Sequence, residues 1–339
     1  MFLFLTTPGY GSTVEEFVHP LPDADVPHCR VTTYDAILRS NHTAKAMHVF
    51  TDLERLRDCE LVAAASLYRA LRVAGIPCLN DPARVMGRYQ LLCNLFEAGI
   101  NPFAVYRADG RPKPAQFPVF IRNESSHDGP MSALIKDQNE LDDHLERLIE
   151  GGRPLRGLLV VEYAAEPLPG GVWRKTGTYR IGKYYMVGHQ FPSDNWVVKT
   201  YGQHVTSDAL QLEEKAAVIA NDVPESVRRA FDIAGVEWGR ADHTTFQGRE
   251  IVFEINTAPV PWMTDRYGNT IRIETKRVKR TRMYSLLREL DWGDGTEIRY
   301  RPGKPWRRFA ESQPVRELLK PIWRKLPESQ QRLFKRIVS

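Results

Sequence analysis

Three side chains in the run from 236 to 259 are spaced so that they could act together. In REIVFEIN, residues 249–256, a strand would send alternate side chains to opposite faces: Ile251, Phe253 and Ile255 on one, Val252, Glu254 and Asn256 on the other. An apolar strand would thus present a carboxylate and an amide side by side. The preceding run VEWGRADHTTF, residues 236–246, and REIVFEINT flank Gln247-Gly248, a hairpin signal. With a three- or five-residue loop centred on Gly248, Asp242 falls directly opposite Glu254. Like charges at cross-strand positions, with Cβ atoms roughly 5 Å apart, destabilise a sheet unless something neutralises them. A divalent cation would do so. Two carboxylates and an amide are an all-oxygen donor set, which suits Mg²⁺ sharing its remaining sites with waters and nucleotide phosphates. The plainer alternative is a hairpin whose Asp, Glu and Asn face water.

Several elements must surround such a hairpin. Residues 1–82 alternate short β-rich stretches (FLFLTT, HVFTD, PCLND) with one helical pattern at 61–74, as in a small open α/β domain. A helix is expected at 83–98, ended by Gly99, and then the extended stretch NPFAVYRA. FPVFIRN reads as a strand, SSHDGP as a loop, SALIKD as a strand and 138–149 as a helix. From 158 the character is mostly β: LLVVEYAA, then two strands turning at Gly182-Lys183, then WVVK. Helices are expected at 208–219, 225–234 and 271–290.

The chain of 339 residues, 42% hydrophobic and 26% charged, is long enough for two or three packed units. Its apolar opening, residues 1–5, is cut at once by Thr6, Thr7 and Pro8, so a cytoplasmic protein is expected. Cys29, Cys59, Cys78 and Cys93 form no CxxC pair and read as reduced thiols. The net charge of +5 is uneven: residues 299–339 carry twelve Lys or Arg against three Glu, while the rest has 35 basic and 39 acidic side chains. A nucleic-acid-coating protein is not expected from that distribution.

ADHTTFQGREIVFEINTAP, residues 241–259, resembles the metal-binding signature of the ATP-grasp superfamily: an Asp on one strand, then Glu-x-Asn and a proline about a dozen residues later. The resemblance covers roughly residues 80–290. It implies an α+β ATP-grasp fold, two α+β subdomains sandwiching ATP, behind the small α/β domain. The expected divisions are 1–82, 83–155 with a phosphate flap, 156–298 with the metal hairpin, and a basic helical tail at 299–339.

By the same resemblance Asp242, Glu254 and Asn256 would hold Mg²⁺ or Mn²⁺, with Glu254 bridging two ions. FPVFIRNESSHDGP resembles the strand and flap over the phosphates, with Arg122 in place of the usual lysine. An arginine grips phosphate through its planar fork. Ser125, Ser126, His127 and Gly129 of the loop could cradle phosphate; a plain turn is the alternative. LLVVEYAAE resembles the hinge strand, where the backbone around Glu162, Tyr163 and Ala164 would meet the adenine edge and Glu166 could reach the ribose. TYRIGKYYMVGH resembles the next strand, whose Arg180 would face the transferring phosphate, unless it forms a surface salt bridge. Arg84 and Arg88 lie where relatives carry another phosphate-binding base, Arg88 being preferred. Asn195, Trp196 and Lys199 fall near substrate-contacting positions of relatives, although Trp196 reads more readily as core.

Two basic segments remain. KRVKRTR, 276–282, has five positive charges in seven residues and reads as a solvated helix face that could also draw in an anion. In the tail an apolar stripe (Val315, Leu318, Leu319, Ile322, Trp323, Leu326) is ringed by Arg and Lys. It would dock on the protein's own body or, alternatively, lie on an anionic membrane. The resemblance implies an ATP-dependent ligase that joins a carboxylate to an amine through an acyl phosphate. Phosphorylation of a hydroxyl, or nucleotide or membrane binding without turnover, are the alternatives. Oligomeric state stays open, a homodimer being common among ATP-grasp ligases.

Overall fold

The computed structural model describes residues 1–18, 25–198, 207–261, 263 and 269–301. Its first unit is a four-stranded parallel sheet in the order β2-β1-β4-β5, from β1 (Phe2–Thr6), β2 (Cys29–Thr33), β4 (Met47–Phe50) and β5 (Cys78–Leu79). Every residue of β1 is buried, as a parallel strand covered on both faces requires. The short helices α1 (Glu15–Val18) and α2 (Tyr34–Leu38) and the long α3 (Asp58–Val73) surround it. Helix α3 buries Ala63, Ala64, Leu67 and Leu71, one face at helical spacing. A short β3 (His42–Ala44) pairs antiparallel with β13 (Glu297–Arg299), and Tyr300 buries its ring there, its hydroxyl donating to the carbonyls of Ile37 (2.6 Å) and Ser40 (2.8 Å). Residues 297–301 thus return to the first unit, so the tail expected from 299 begins as part of its sheet edge. The remaining tail, with its apolar stripe, and Lys199 lie outside the described residues.

A second unit holds α4 (Arg88–Glu97), the antiparallel sheet β6-β8-β7 from β6 (Val105–Arg107), β7 (Val119–Asn123) and β8 (Leu158–Glu162), and α5 (Gln138–Glu150). Asp137 caps α5 by accepting from the Glu140 amide at 3.0 Å, and the helix packs Leu141 and Leu145 under β7 and β8. A third unit is the antiparallel sheet β10-β9-β11-β12, from β9 (Trp173–Ile181), β10 (Tyr184–Ser193), β11 (Trp238–Phe246) and β12 (Arg249–Asn256), with α6 (Asp208–Ala220), α7 (Glu225–Ala234) and α8 (Thr270–Glu289). The layout is the one the ATP-grasp resemblance implies: a small α/β unit ahead of two α+β units facing each other across a cleft.

Buried amides lock the units together. Asn80, at φ 65°, donates to the carbonyls of Phe50 (2.9 Å) and Trp238 (2.8 Å) and accepts from the amides of Glu237 (2.8 Å) and Trp238 (2.9 Å). Its four bonds leave no polar atom of a fully buried side chain unpaired. Asn101 does the same for the second and third units, exchanging two bonds with the backbone of Val252 on β12. Phe4 meets Trp238 edge-on at 5.1 Å between ring centroids, so the first sheet and the third share one core.

Four expectations are corrected. SALIKD forms no strand, only the isolated bridge of Ile135 to Val119. Of WVVK, residues 196–198 are not strand. The helix expected at 83–98 begins at Arg88. The run 276–282 is not simply a solvated face: Lys279 is buried, Arg280 donates to the Met263 carbonyl at 2.9 Å, and Arg282 donates to the carbonyls of Val218 and Ile219. Long side chains here serve as fold contacts, their stems covering apolar surface.

Candidate functional site

The β11–β12 register places Asp242 directly opposite Glu254, as the hairpin reading expects, but by a different route. The turn is the two-residue Gln247-Gly248, both at positive φ (49° and 73°), and a bulge between Asp242 and His243 absorbs the extra residue. Both carboxylates are withdrawn from solvent, and each is held by two cations. Arg240, two residues before Asp242 and so on its face, donates to it from Nε at 2.6 Å and Nη2 at 3.2 Å. Lys175 of β9 adds a contact at 3.0 Å. Glu254 Oε2 accepts from Arg88 Nη2 at 2.7 Å and Arg122 Nη2 at 2.9 Å. Arg88 opens α4 and Arg122 lies on β7, so the second unit reaches across the cleft to the third through Glu254.

Burial alone would raise the pKa of Glu254, but Arg88 and Arg122 outweigh it and hold the carboxyl well below its ordinary range. Burial likewise works against Asp242, and Arg240 and Lys175 pull it below the ordinary value. Burial lowers the pKa of Arg122, partly countered by Glu254. Four cations thus meet two carboxylates, an excess of positive charge in a closed space, which attracts a polyanion.

These groups stand at one end of a cavity of about 340 Å³. At the other end Phe103, Phe120, Val161, Ala164 and Phe253 form an apolar slot. Its edge is the backbone after β8, where the Ala164 N–H has no protein partner among the described residues, whereas the Tyr163 N–H is spent on the Pro118 carbonyl at 2.9 Å. Trp196 packs its ring on Phe120 and Tyr163 and lines the cavity. A flat heterocycle in the slot and a phosphate chain among the cations would match both ends.

The structure gathers Arg88, Arg122, His127, Gly129, Tyr163, Ala164, Asp242, Glu254 and Asn256 around this cavity or its ion pairs. Ser125 and Ser126 face a neighbouring cavity, and the carbonyls of Asn123 at the end of β7 and of Glu124 and Ser126 in the loop accept from Arg88 Nη1, which pins the flap. Among the described residues Asn195 organises its own turn, its amide donating to Ser193 Oγ and its side-chain oxygen accepting from the Val197 amide. Two expectations need correction. Arg180 lies five residues from Lys175 on β9 and so on the opposite face; it pairs with Asp232 at 2.6 Å in a separate groove with Arg84. The exposed Glu166 accepts from the Gln247 amide at 2.9 Å, securing the hairpin tip. The Glu162 carboxylate is consumed by Tyr106 Oη and the amides of Ala104, Ala115 and Gln116 at 2.8–3.0 Å, leaving only its backbone to face the slot. Sequence reading missed Lys175 and Arg240, the latter despite its i−2 position.

Among the described residues no group of three or more His, Cys, Asp or Glu side chains is gathered for a metal. The oxygen donors of Asp242, Glu254 and Asn256 nevertheless fit a hard divalent ion: they share one face, the carboxyls stay ionised, and the Asn256 amide oxygen accepts from no described residue.

No protein-family model and no curated protein matches this chain. Among solved structures, a D-alanine–D-alanine ligase of Bacillus anthracis complexed with ATP is 12% identical, covering 85% of this chain and 96% of its own, with a TM-score of 0.46. A RimK domain ATP-grasp protein of Sphaerobacter thermophilus is 15% identical, covering 82% and 96%, with a TM-score of 0.43.

Proposed function

We propose that the cavity binds Mg-ATP and that the chain is an ATP-grasp ligase joining a carboxylate to an amine. The observation that carries this reading is the ring of Arg88, Arg122, Lys175 and Arg240 around the register pair Asp242 and Glu254, at the charged end of a cavity whose other end is apolar. A nucleoside triphosphate has that polarity.

In this reading the slot of Phe103, Phe120 and Phe253 takes the adenine, with the Ala164 N–H donating to its edge. Arg88 and Arg122 turn from Glu254 to the phosphate oxygens, and Arg240 and Lys175 neutralise charge that develops as the γ-phosphoryl group transfers. Asp242, Glu254 and Asn256 would hold Mg²⁺, which supplies charge neutralisation and alignment of the phosphates. A substrate carboxylate oxygen attacks the γ-phosphorus, the bond to the ADP oxygen breaks, and an acyl phosphate forms. The amine nitrogen then attacks the acyl carbon, inorganic phosphate leaves with the C–O electron pair, and the nitrogen loses a proton. The flap at 124–130, tied to Arg88, excludes water that would hydrolyse the acyl phosphate.

Product analysis tests the reaction. Incubation with Mg-ATP and mixed acid and amine substrates should release inorganic phosphate together with an amide. Phosphate retained on a hydroxyl acceptor would identify a phosphotransferase instead, and nucleotide binding with no phosphate released from any mixture would count against turnover.

A further inference from the structure

Helix α6 is inverted for a surface helix. Its buried face carries Gln211 and Glu214 beside Val218, while Ala209, Leu212, Ala216 and Ile219 stand outward, Leu212 and Ile219 each 52% exposed. A surface helix ordinarily turns its apolar stripe to the core and its polar face to water. Positions 209, 212, 216 and 219 follow in steps of three and four, so they form one row along the helix, the spacing of a seam that meets a second apolar segment. The helix cannot roll over to hide that row. Glu214 accepts from the Gln190 amide of β10 at 3.4 Å and faces Arg272 of α8 at 3.8 Å, Lys215 pairs with Glu274 at 2.5 Å, and Arg282 donates to the carbonyls of Val218 and Ile219. Single exposed hydrophobic side chains are ordinary on a protein surface; a continuous row of them marks a contact.

We infer that this row is the dock for the chain's own tail, residues 315–326, where six apolar side chains (Val315, Leu318, Leu319, Ile322, Trp323, Leu326) stand on either side of Pro321. Area decides between a tethered segment and a separate partner. The 13 residues of α6 make a helix about 20 Å long, and one side of it offers on the order of 200 Å². Each partner of a stable complex buries about 800 Å², so a second copy or another protein would be held weakly by this row. A segment of the same chain needs far less, because its linker keeps it at an effective concentration in the millimolar range. Reach allows it: the 14 residues from Arg301 to Val315 span up to about 46 Å, more than the roughly 30 Å length of α8, which runs beside α6. Charge agrees, since Arg316, Lys320, Arg324 and Lys325 accompany the tail's apolar residues, while the row is flanked by the exposed Asp208 and by Glu213, which already pairs with Arg174. Docked there, the tail braces α6 against β10, whose Phe191 lines the first cavity. The inference stands apart from the nucleotide reading of that cavity.

Hydrogen exchange of the full chain, followed by mass spectrometry without ligand at low micromolar protein, tests it. Peptides covering 315–326 should exchange at least tenfold more slowly in the wild type than in the double variant Leu212→Glu, Ile219→Glu. Val62→Glu, at a 58% exposed position on α3, should keep the wild-type protection of the tail, and peptides of the sheet β10-β9-β11-β12 should exchange alike in all three proteins. A second double variant, Leu318→Glu with Trp323→Glu, approaches from the other side and leaves the described fold untouched: α6 should then exchange severalfold faster while α3 does not change. Four results would overturn the inference. The first is a tail with no protection in the wild type, and the second is equal protection in the wild type and the α6 variant. The third is protection that appears only as protein concentration rises, together with a dimer in light scattering, which would assign the row to a second copy. The last is protection only on vesicles of phosphatidylcholine and phosphatidylserine, which would assign the tail to an anionic membrane.

Discussion

Glu254 is the point at which two units of the molecule exchange charge. Replacing it with Gln preserves shape but leaves Arg88 and Arg122 facing each other with no anion between them. Removing one partner from a buried pair costs about 3 kcal/mol or more, so Glu254→Gln should lower the urea midpoint of the ligand-free protein. An unchanged midpoint would mean that the arginines are satisfied elsewhere. Arg240 invites a different test. Its two bonds to Asp242 use the fork geometry that lysine lacks, so Arg240→Lys should cut kcat roughly a hundredfold while the far-ultraviolet circular dichroism stays that of wild type. The sequence carried the signal for Arg240, because alternation puts it on the face of Asp242. Lys175 and Arg180 were harder to tell apart: both lie on β9, on opposite faces, and only the pairing of β9 with β11 decides which face looks into the cleft. The donors that engage the Glu162 carboxylate were illegible for another reason, since the four come from two segments, 104–106 and 115–116, that only the fold brings to β8.

At the level of elements, β9 can approach the site closely because of one glycine. A Cβ at Gly177 would stand 2.4 Å from the His189 ring and 3.0 Å from Cδ of Arg240. Gly177→Ala should therefore destabilise by about 1–3 kcal/mol and displace Arg240, lowering activity beyond the stability loss. Wild-type kcat in the folded variant would refute that coupling. The first sheet offers a pH test. His48 on β4 is fully buried, its ring held by Thr43 and the Ala46 carbonyl at 2.8 Å, and burial pushes its pKa from 6.5 down to about 4. Between those values the unfolded chain binds a proton that the fold refuses, so stability falls with pH, by about 2 kcal/mol at pH 5. Burial raises Asp52 to about 6, which acts in the opposite sense as pH falls and masks part of the loss. The comparison of His48→Gln with wild type isolates the histidine: the difference between their urea midpoints should shrink from pH 7 to pH 5, and a constant difference would contradict the assignment. Most helices and the main strands were legible from periodicity. The short pairing of β3 with β13 was not, because three residues at either end of 250 carry no pattern that names a partner.

Across the whole molecule, the three units make a cleft in which an apolar slot, a ring of cations with two carboxylates, and a second polar cavity follow one another. Each unit supplies part: the first brings Arg55, the second Arg88, Arg122 and the flap, the third Lys175, Arg240, Asp242, Glu254 and Asn256. Asn80 and Asn101 hold them in register. The hairpin signature and the order of the elements could be read along the chain. The second cavity could not, since Arg55 and His127, which line it, are 72 positions apart in sequence and Arg55 belongs to no recognisable motif. Among the described residues no helix is long and apolar enough to cross a membrane.

The central claim is that Glu254 and its neighbours hold the metal and phosphates of a nucleotide. It is tested most directly by thermal shift of wild type and Glu254→Ala with ATP, with and without Mg²⁺. At about a hundred times the dissociation constant, binding should add roughly 2.7 kcal/mol to the stability of the wild type. The account predicts a Mg²⁺-dependent rise for wild type and none for Glu254→Ala. No response of wild type to saturating Mg-ATP, or an equal response from the variant, would contradict it.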